Sequence, residues 1–220
     1  MRKTVGVALL CLLSIWNACD KGCPYKDIMA VHQEMKDWVA FDTGTYWIYV
    51  DSLTGKNDTQ LVYDLAYKLE DTYGGGKCPI KRQRVLERNF AYDSSFSQFA
   101  LTGKYDTNEK GDTIGAVWMT SKRERALSSP YLMFPLKEGD TYTYGSKSRY
   151  TTERIYGEYE VNGVIYADVV CTHDAYSLVE GNECRYYHAK NIGLIKKVIY
   201  KRNSTETLAV WELAAYEVMK

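Results

Sequence analysis

Cys171-x-His173 and Cys184-x3-His188 bring two thiols and two imidazoles close together, the one cluster of the chain with ligand chemistry. Thiolate and neutral imidazole are zinc donors, but zinc sites are usually built from C-x2-4-C and H-x3-5-H pairs, which this spacing does not reproduce. Two cysteines this near one another also suit a hairpin whose strands are joined by a disulfide, provided the compartment is oxidising. Glu158 and Glu160 could be imagined as an acid and a base, yet on a wet strand face near Arg154 they read as solvated charge. His32 has no neighbouring partner and reads as a surface or half-buried histidine. There is no G-x-S-x-G elbow, no H-E-x-x-H and no P-loop, since Gly74-Gly75-Gly76-Lys77 runs into Cys78 and lacks the earlier glycine. Hence no cofactor and no metal is expected, and three histidines give a serine triad little support. Carboxylate chemistry needs no motif, so hydrolysis of an envelope or dietary glycan by two acids stays as the alternative.

The compartment is set by the first nineteen residues. Arg2 and Lys3 supply a positive start, and Val5 to Trp16 form an apolar run interrupted by Gly6 and Ser14, too short for a resident membrane helix. The run ends in Trp16-Asn17-Ala18-Cys19, which resembles a lipobox, with Trp16 and Asn17 standing where an aliphatic and a small residue are usual. Simple cleavage after Ala18 suits Trp16 less, and Cys23 follows the polar Asp20-Lys21-Gly22. The expectation is removal of residues 1–18, lipid on Cys19, and a body held at the cell envelope on an outer membrane.

With Cys11 removed and Cys19 lipidated, Cys23, Cys78, Cys171 and Cys184 remain. An even count in an oxidising compartment predicts two disulfides, with three possible connectivities. Cys171 with Cys184 is favoured, which leaves Cys23 with Cys78 to pin the N-terminal segment. Loss of Arg2 and Lys3 from a chain of 28 basic and 28 acidic residues leaves a slightly negative body. It has no basic field for nucleic acid or anionic lipid.

The elements that must position these groups are mostly strands. Ile28, Val31, Met35 and Trp38 have helical spacing and predict one short amphipathic helix within Tyr25 to Val39. From Gly44 onward, short runs rich in Tyr, Val, Ile and Thr alternate with turns at Thr54-Gly55, Gly74-Gly75-Gly76, Lys110-Gly111 and Asn162-Gly163. That predicts an all-β fold, an antiparallel barrel or sandwich. Asn162-Gly163 favours a two-residue type I′ turn, setting Val161 opposite Val164, Tyr159 opposite Tyr166 and Ile155 opposite Val170. The face they share is largely apolar, and the other, with Arg154, Glu158 and Glu160 against Ile165, Ala167 and Val169, is expected to be half exposed. Arg185 to Ala189, Leu194 to Tyr200 and Leu208 to Val218 read as further strands, with a turn at Lys190 to Gly193. Cys78 to Phe99, with Lys81, Arg82, Arg84 and Arg88, reads as a solvated strand or loop.

A repeat relates Phe41 to Tyr49 with Leu136 to Tyr144: in each, an apolar residue precedes a glycine and two aromatics follow it, at Trp47 and Tyr49 and at Tyr142 and Tyr144. It divides the body into halves, 37–130 and 131–220, after a tether and helix over 19–36, with a break at Ser128-Ser129-Pro130.

Phe134-Pro135-Leu136-Lys137-Glu138-Gly139-Asp140, the segment Tyr159 to Val169 around Asn162-Gly163, and Tyr186-Tyr187-His188-Ala189-Lys190-Asn191-Ile192-Gly193-Leu194-Ile195-Lys196 together resemble a strand series of uncharacterised exported lipoproteins of Bacteroidota. The likeness covers residues 134–200 and the Gly44 to Ser52 piece, and it carries no catalytic residues. It implies that Asp51-Ser52-Leu53 and Asp112-Thr113-Ile114 fit an O-glycosylation pattern.

The function expected from these features is a non-enzymatic binding or scaffold lipoprotein. Its lipid engages a membrane, and Trp47, Tyr49, Tyr142 and Tyr144 face a glycan or protein ligand, rings offering apolar area with a polar edge. The competing role for these rings, and for Trp118 and Trp211, is to fill the core.

Overall fold

A computed structural model describes residues 31, 33–72, 80–91, 97–107, 113–121, 127–144, 148–177 and 181–219. The leader, Cys19, Cys23, His32, Cys78 and Asp112 lie outside them. The described residues form one helix, α1 (Gln33–Val39), and twelve strands. The first six are β1 (Tyr46–Asp51), β2 (Asn57–Thr72), β3 (Ile80–Ala91), β4 (Ser97–Thr107), β5 (Thr113–Ser121) and β6 (Leu127–Phe134). The second six are β7 (Thr141–Tyr144), β8 (Ser148–Val161), β9 (Val164–Asp174), β10 (Glu183–Ala189), β11 (Gly193–Tyr200) and β12 (Thr207–Glu217). Every pairing is antiparallel, and the order β6-β5-β4-β3-β2-β1-β12-β11-β10-β9-β8-β7 joins two meanders through β1 and β12.

β6 and β7 are the edges, so the sheet is not a closed barrel. It folds over so that its halves face each other: Tyr131 of β6 meets Tyr186 and His188 of β10 edge to face, with ring centroids 5.5 and 4.4 Å apart. One apolar core results, taking Val62, Leu101, Val117 and Leu132 from one half and Val170, Ile195 and Leu213 from the other.

Turn chemistry and alternation decide the best-defined parts. Asn162 and Gly163 adopt φ of 50° and 76°, as a type I′ turn requires. The ladder above them pairs Val161 with Val164, Tyr159 with Tyr166 and Ile155 with Val170. Glu158, Glu160, Ile165 and Ala167 are exposed as the alternation predicts, but Val169 of the same face is fully buried, and Ile155 and Val164 of the apolar face are exposed. Strict alternation along β9 breaks at Asp168, which has a positive φ of 49°. β10, β11 and β12 follow the sequence reading closely, and the turn between β10 and β11 carries positive φ at Asn191 and Gly193.

The repeat has a backbone counterpart. Gly44 (φ 98°) leads into β1 and Gly139 (φ 83°) into β7, the first strand of each meander. In one copy Gly44 N–H donates to Val62 O and Val62 N–H to Thr45 O; in the other Gly139 N–H donates to Thr152 O and Thr152 N–H to Asp140 O. Thr45 N–H to Asp42 O likewise matches Asp140 N–H to Lys137 O.

The expected break at Ser128-Ser129-Pro130 is instead inside β6. Proline is tolerated there because β6 is an edge strand, and the ladder to β5 shifts register at Trp118 opposite Pro130. The halves change over between β6 and β7.

The helix is shorter than expected and buries Met35 and Trp38 of its predicted stripe; Val31, just before it, is also buried, and Ile28 lies outside the described residues. The helix closes one end of the body by touching both layers. Met35 Cε sits where a Cβ on Gly115 of β5 would approach to 2.6 Å, so a larger residue there would push aside the flexible end of Met35 and crowd Phe134 Cβ at 3.1 Å. From the other layer, Asn191 N–H donates to Asp37 O at 2.7 Å, and Lys190 pairs with the Asp37 carboxylate at 3.5 Å.

Candidate ligand cavity and the charged face outside it

Beneath α1 the layers part around a space of about 20 Å³ for the centre of a water-sized sphere, partly open to solvent. That is room for roughly one water molecule or a group of similar size. Its walls include Trp38, Phe41, Trp47, Tyr49, Tyr131 and Glu87. The burial alternation of β1 turns Trp47 and Tyr49 inward together, and both rings use their polar handles on the opposite layer. Trp47 Nε1–H donates to Ile192 O at 2.6 Å, and Tyr49 O–H donates to Leu194 O at 2.8 Å. Phe41 meets Trp47 edge to face at 5.2 Å. Both rings lie against Gly193, where a Cβ would stand 3.2 Å from the Phe41 ring. Burial, reinforced by Tyr131, Asp58 and Glu87, holds the Tyr49 phenol well above its ordinary range, so it stays protonated.

Glu87 was not singled out in the sequence. Its register on β3 places it between Leu65 and Leu101, and it is 1% exposed. Its carboxyl accepts the Phe41 N–H at 2.8 Å, which ties the strand to the chain just after the helix. No signal in the sequence could have found it, because Leu86 and Phe90 of the same run suggest that the other face turns inward.

Beside this space lies a buried polar row. His188 is fully buried, pairs with Val170 and Leu194 in the ladders, and has no hydrogen-bond partner among the described residues on either ring nitrogen. Burial alone pushes its pKa down to about 3, so it is neutral. Tyr186 O–H donates to Ser177 Oγ at 3.3 Å, and Ser177 reaches Ser129 of the facing layer at 3.4 Å.

Further along β9, Asp174 is buried, with one oxygen taking the Tyr176 N–H and Oδ2 without a partner among the described residues. Burial raises its pKa to about 6, against that hydrogen bond. A folded-state pKa above the unfolded one stabilises at low pH, and that contribution disappears as pH rises through about 6. Asp174→Asn is therefore expected to gain about 1 to 2 kcal/mol at pH 8 and nothing at pH 3.5, measured by urea unfolding at both pH values.

The outer side of β8 to β11 carries a charged array. Glu153 is the extra residue of a β-bulge between Thr152 and Arg154, which aims its carboxylate across β9. It accepts Arg185 Nε at 2.7 Å and Nη2 at 3.2 Å, and lies 3.4 Å from His173 Nδ1. His173 Nε2 is 2.9 Å from Glu183. Partial burial alone would raise the Glu153 carboxyl, but the Arg185 hydrogen bonds and charge, with His173, outweigh it and hold the group below the usual range. Adjoining the array, Tyr159 stacks on Tyr187 at 4.9 Å and meets Tyr156 at 5.0 Å, with the Arg154 guanidinium 5.7 Å from the Tyr156 ring centre.

The cysteine reading needs correction. Cys171 stands opposite Tyr187 and Cys184 opposite Asp174, in a ladder without a register shift. The two cysteines are thus an odd number of positions out of register and point to opposite faces. Cys184 enters the core with Tyr186, while Cys171 lies with His173 and Glu153 on the outer side. No disulfide joins Cys171 to Cys184, and the same parity separates the candidate zinc donors, His173 going out with Cys171 and His188 in with Cys184. Burial pushes the Cys171 thiol up to about 12, so it is an inert thiol. Non-reducing peptide mapping of the native protein is expected to yield no Cys171–Cys184 cross-link. The proposed Cys23–Cys78 link lies outside the described residues.

The aromatic prediction divides. Trp47 and Tyr49 come together, but as buried walls of the cavity and not as an exposed surface. Tyr142 is half-buried against a separate small cluster of Ala116, Met133 and Tyr150. Tyr144 pairs with Ser148 in the β7–β8 ladder. Trp47, Tyr49 and Tyr142 therefore do not form one surface. Asp51 is committed to its turn, accepting from Leu53 N, Val210 N and the Thr54 hydroxyl, and leaves Ser52 exposed.

No protein-family model matches the chain, and neither a curated protein nor a solved structure shows significant similarity to it.

Proposed function

We propose that this chain is an exported lipoprotein, tethered to a membrane through Cys19, whose β body is a non-enzymatic binding module with its ligand site in the aromatic cavity under α1. The observation that carries this reading is the gathering of Trp38, Phe41, Trp47, Tyr49, Tyr131 and a buried Glu87 from separate elements around one partly open space. A pre-formed, mostly apolar concavity with a few polar groups, here Gln60 and Glu87, is the usual form of a small-ligand site. A whole sugar ring exceeds the space, so a glycan or protein partner would use the half-exposed Tyr156, Tyr159 and Tyr187 of the outer array instead.

Hydrolysis by paired carboxylates is less well supported. Of the two acids flanking His173, Glu153 is held ionised by Arg185, and a general acid needs a raised pKa.

Because Trp38 and Trp47 border the cavity, tryptophan emission reports on its occupant. Titration of the full chain with a panel of small charged and polar compounds is expected to shift that emission and raise the melting temperature. A panel that changes neither overturns the binding reading. Lipid attachment is tested separately: Cys19→Ser is expected to leave the membrane fraction and lose the acyl mass.

A further inference from the structure

We infer that the open edge of β8 pairs with the same edge of a second copy of this chain, giving a two-fold dimer centred on Gly157. This goes beyond the cavity reading and does not depend on it.

β7 is short, and its ladder covers β8 only from Ser148 to Thr151. Thr152 still bonds to Gly139 and Asp140 on that side. From Arg154 to Glu160 no strand of the described residues lies beyond β8. The edge is accessible: Arg154, Ile155, Gly157, Glu158 and Glu160 are exposed, and a Cβ on Gly157 would meet nothing within 4 Å. At Ile155 the backbone N–H points out of the sheet, since it donates to the exposed Glu138 carboxylate at 3.1 Å. A carbonyl of an added strand would take over that place. Unpaired strand edges are templates for such addition.

The order of residues along the edge selects the occupant. Antiparallel pairing about Gly157 sets Arg154 opposite Glu160, Ile155 opposite Tyr159 and Tyr156 opposite Glu158, each pair occurring twice. Opposite charges and an apolar pair thus meet on both sides of the two-fold axis. Among the described residues, neither Arg154 nor Glu160 has an ion-pair partner in its own chain. Moving the axis to Glu158 would set that carboxylate against its own copy, and moving it midway between Tyr156 and Gly157 would set Glu153 against Glu160. Edge charges ordinarily keep strands apart. Charges placed symmetrically about one glycine admit a second copy and reject strands of other sequence.

The test is sedimentation equilibrium of the full chain in a density-matched detergent, up to about 100 μM, because an edge contact of this kind is small and associates weakly. The wild type is expected to show a monomer–dimer equilibrium. Arg154→Glu and Glu160→Arg each set like charges opposite one another twice, and each is expected to weaken the dimer at least roughly tenfold. The double variant exchanges the charges and is expected to return to within about threefold of the wild type. Should a reversal fail to fold, Gly157→Cys decides: paired strands hold facing Cα atoms about 4.5 to 5.5 Å apart, within disulfide reach, so mild oxidation is expected to link two copies through position 157 in peptide maps. A wild type that stays monomeric throughout the range overturns the dimer and leaves the edge to a strand of another protein. A dimer that ignores both reversals, is not recovered by the double variant, or gives no link at position 157 overturns the β8 pairing.

Discussion

Trp47→Ala is expected to destabilise the protein by about 3 to 5 kcal/mol, read as a lowered urea midpoint at unchanged slope. Trp47 is 4% exposed, packs on Phe41, lies against Gly193, and donates its N–H to a carbonyl of the facing layer. Truncation opens a large hole and also strands Ile192 O in a place where water reaches it poorly. Trp47→Phe separates these effects. It keeps much of the ring volume and loses the hydrogen bond, so it is expected to cost about 1 to 3 kcal/mol. If the alanine variant costs under 1 kcal/mol, the ring does not join the layers as described.

Acid should weaken the protein through His188. Its folded-state pKa, lowered to about 3, lies well below the ordinary 6.5, so the unfolded chain takes up a proton that the folded core refuses. Stability from this group is complete above about pH 6.5 and falls as pH drops toward 3. At pH 4.5 the loss is about 2 to 3 kcal/mol. His188→Phe fills a similar volume beside Tyr131 and cannot be protonated, so its urea midpoint should change less between pH 7 and pH 4.5 than that of the wild type. Asp174 acts in the opposite sense over part of the same range, its pKa being raised. The difference between wild type and His188→Phe isolates the histidine. Parallel pH profiles for the two proteins would refute the assignment.

How much of this was legible in the sequence depends on how local the deciding interaction is. The β8–β9 hairpin could be registered pair by pair from the Asn162-Gly163 turn as far as Arg154 opposite Cys171, beyond which the bulge at Glu153 breaks the count. The repeat at Gly44 and Gly139 was visible for the same reason, because each glycine takes a positive φ in a turn of fixed form. The cysteines failed on a single unit of parity. Between β9 and β10 lies a loop with no diagnostic dipeptide, so nothing in the chain says whether Cys171 faces Cys184 or a residue beyond it. Trp47 and Tyr49 were recognised as sharing one face of a strand, but which face turns inward depends on the fold-over of the whole sheet. Glu87 is the extreme case: its burial depends on two neighbouring strands and the helix end. The cavity it borders could be seen only once all of them were in place.

The meanders are joined on one side by the continuous β1–β12 ladder, whereas the corresponding edges on the other side, β6 and β7, share no ladder. What spans that second side in the described residues is side-chain contact alone: the hydroxyls of Tyr150 to Tyr131 O and of Ser177 to Ser129, the Tyr131 ring on Tyr186 and His188, and a small cluster of Ala116, Met133, Tyr142 and Tyr150. The body is thus a clasp with a zipped spine and a buttoned front. Any breathing that admits solvent or a guest between the layers starts at the buttons and swings about the spine.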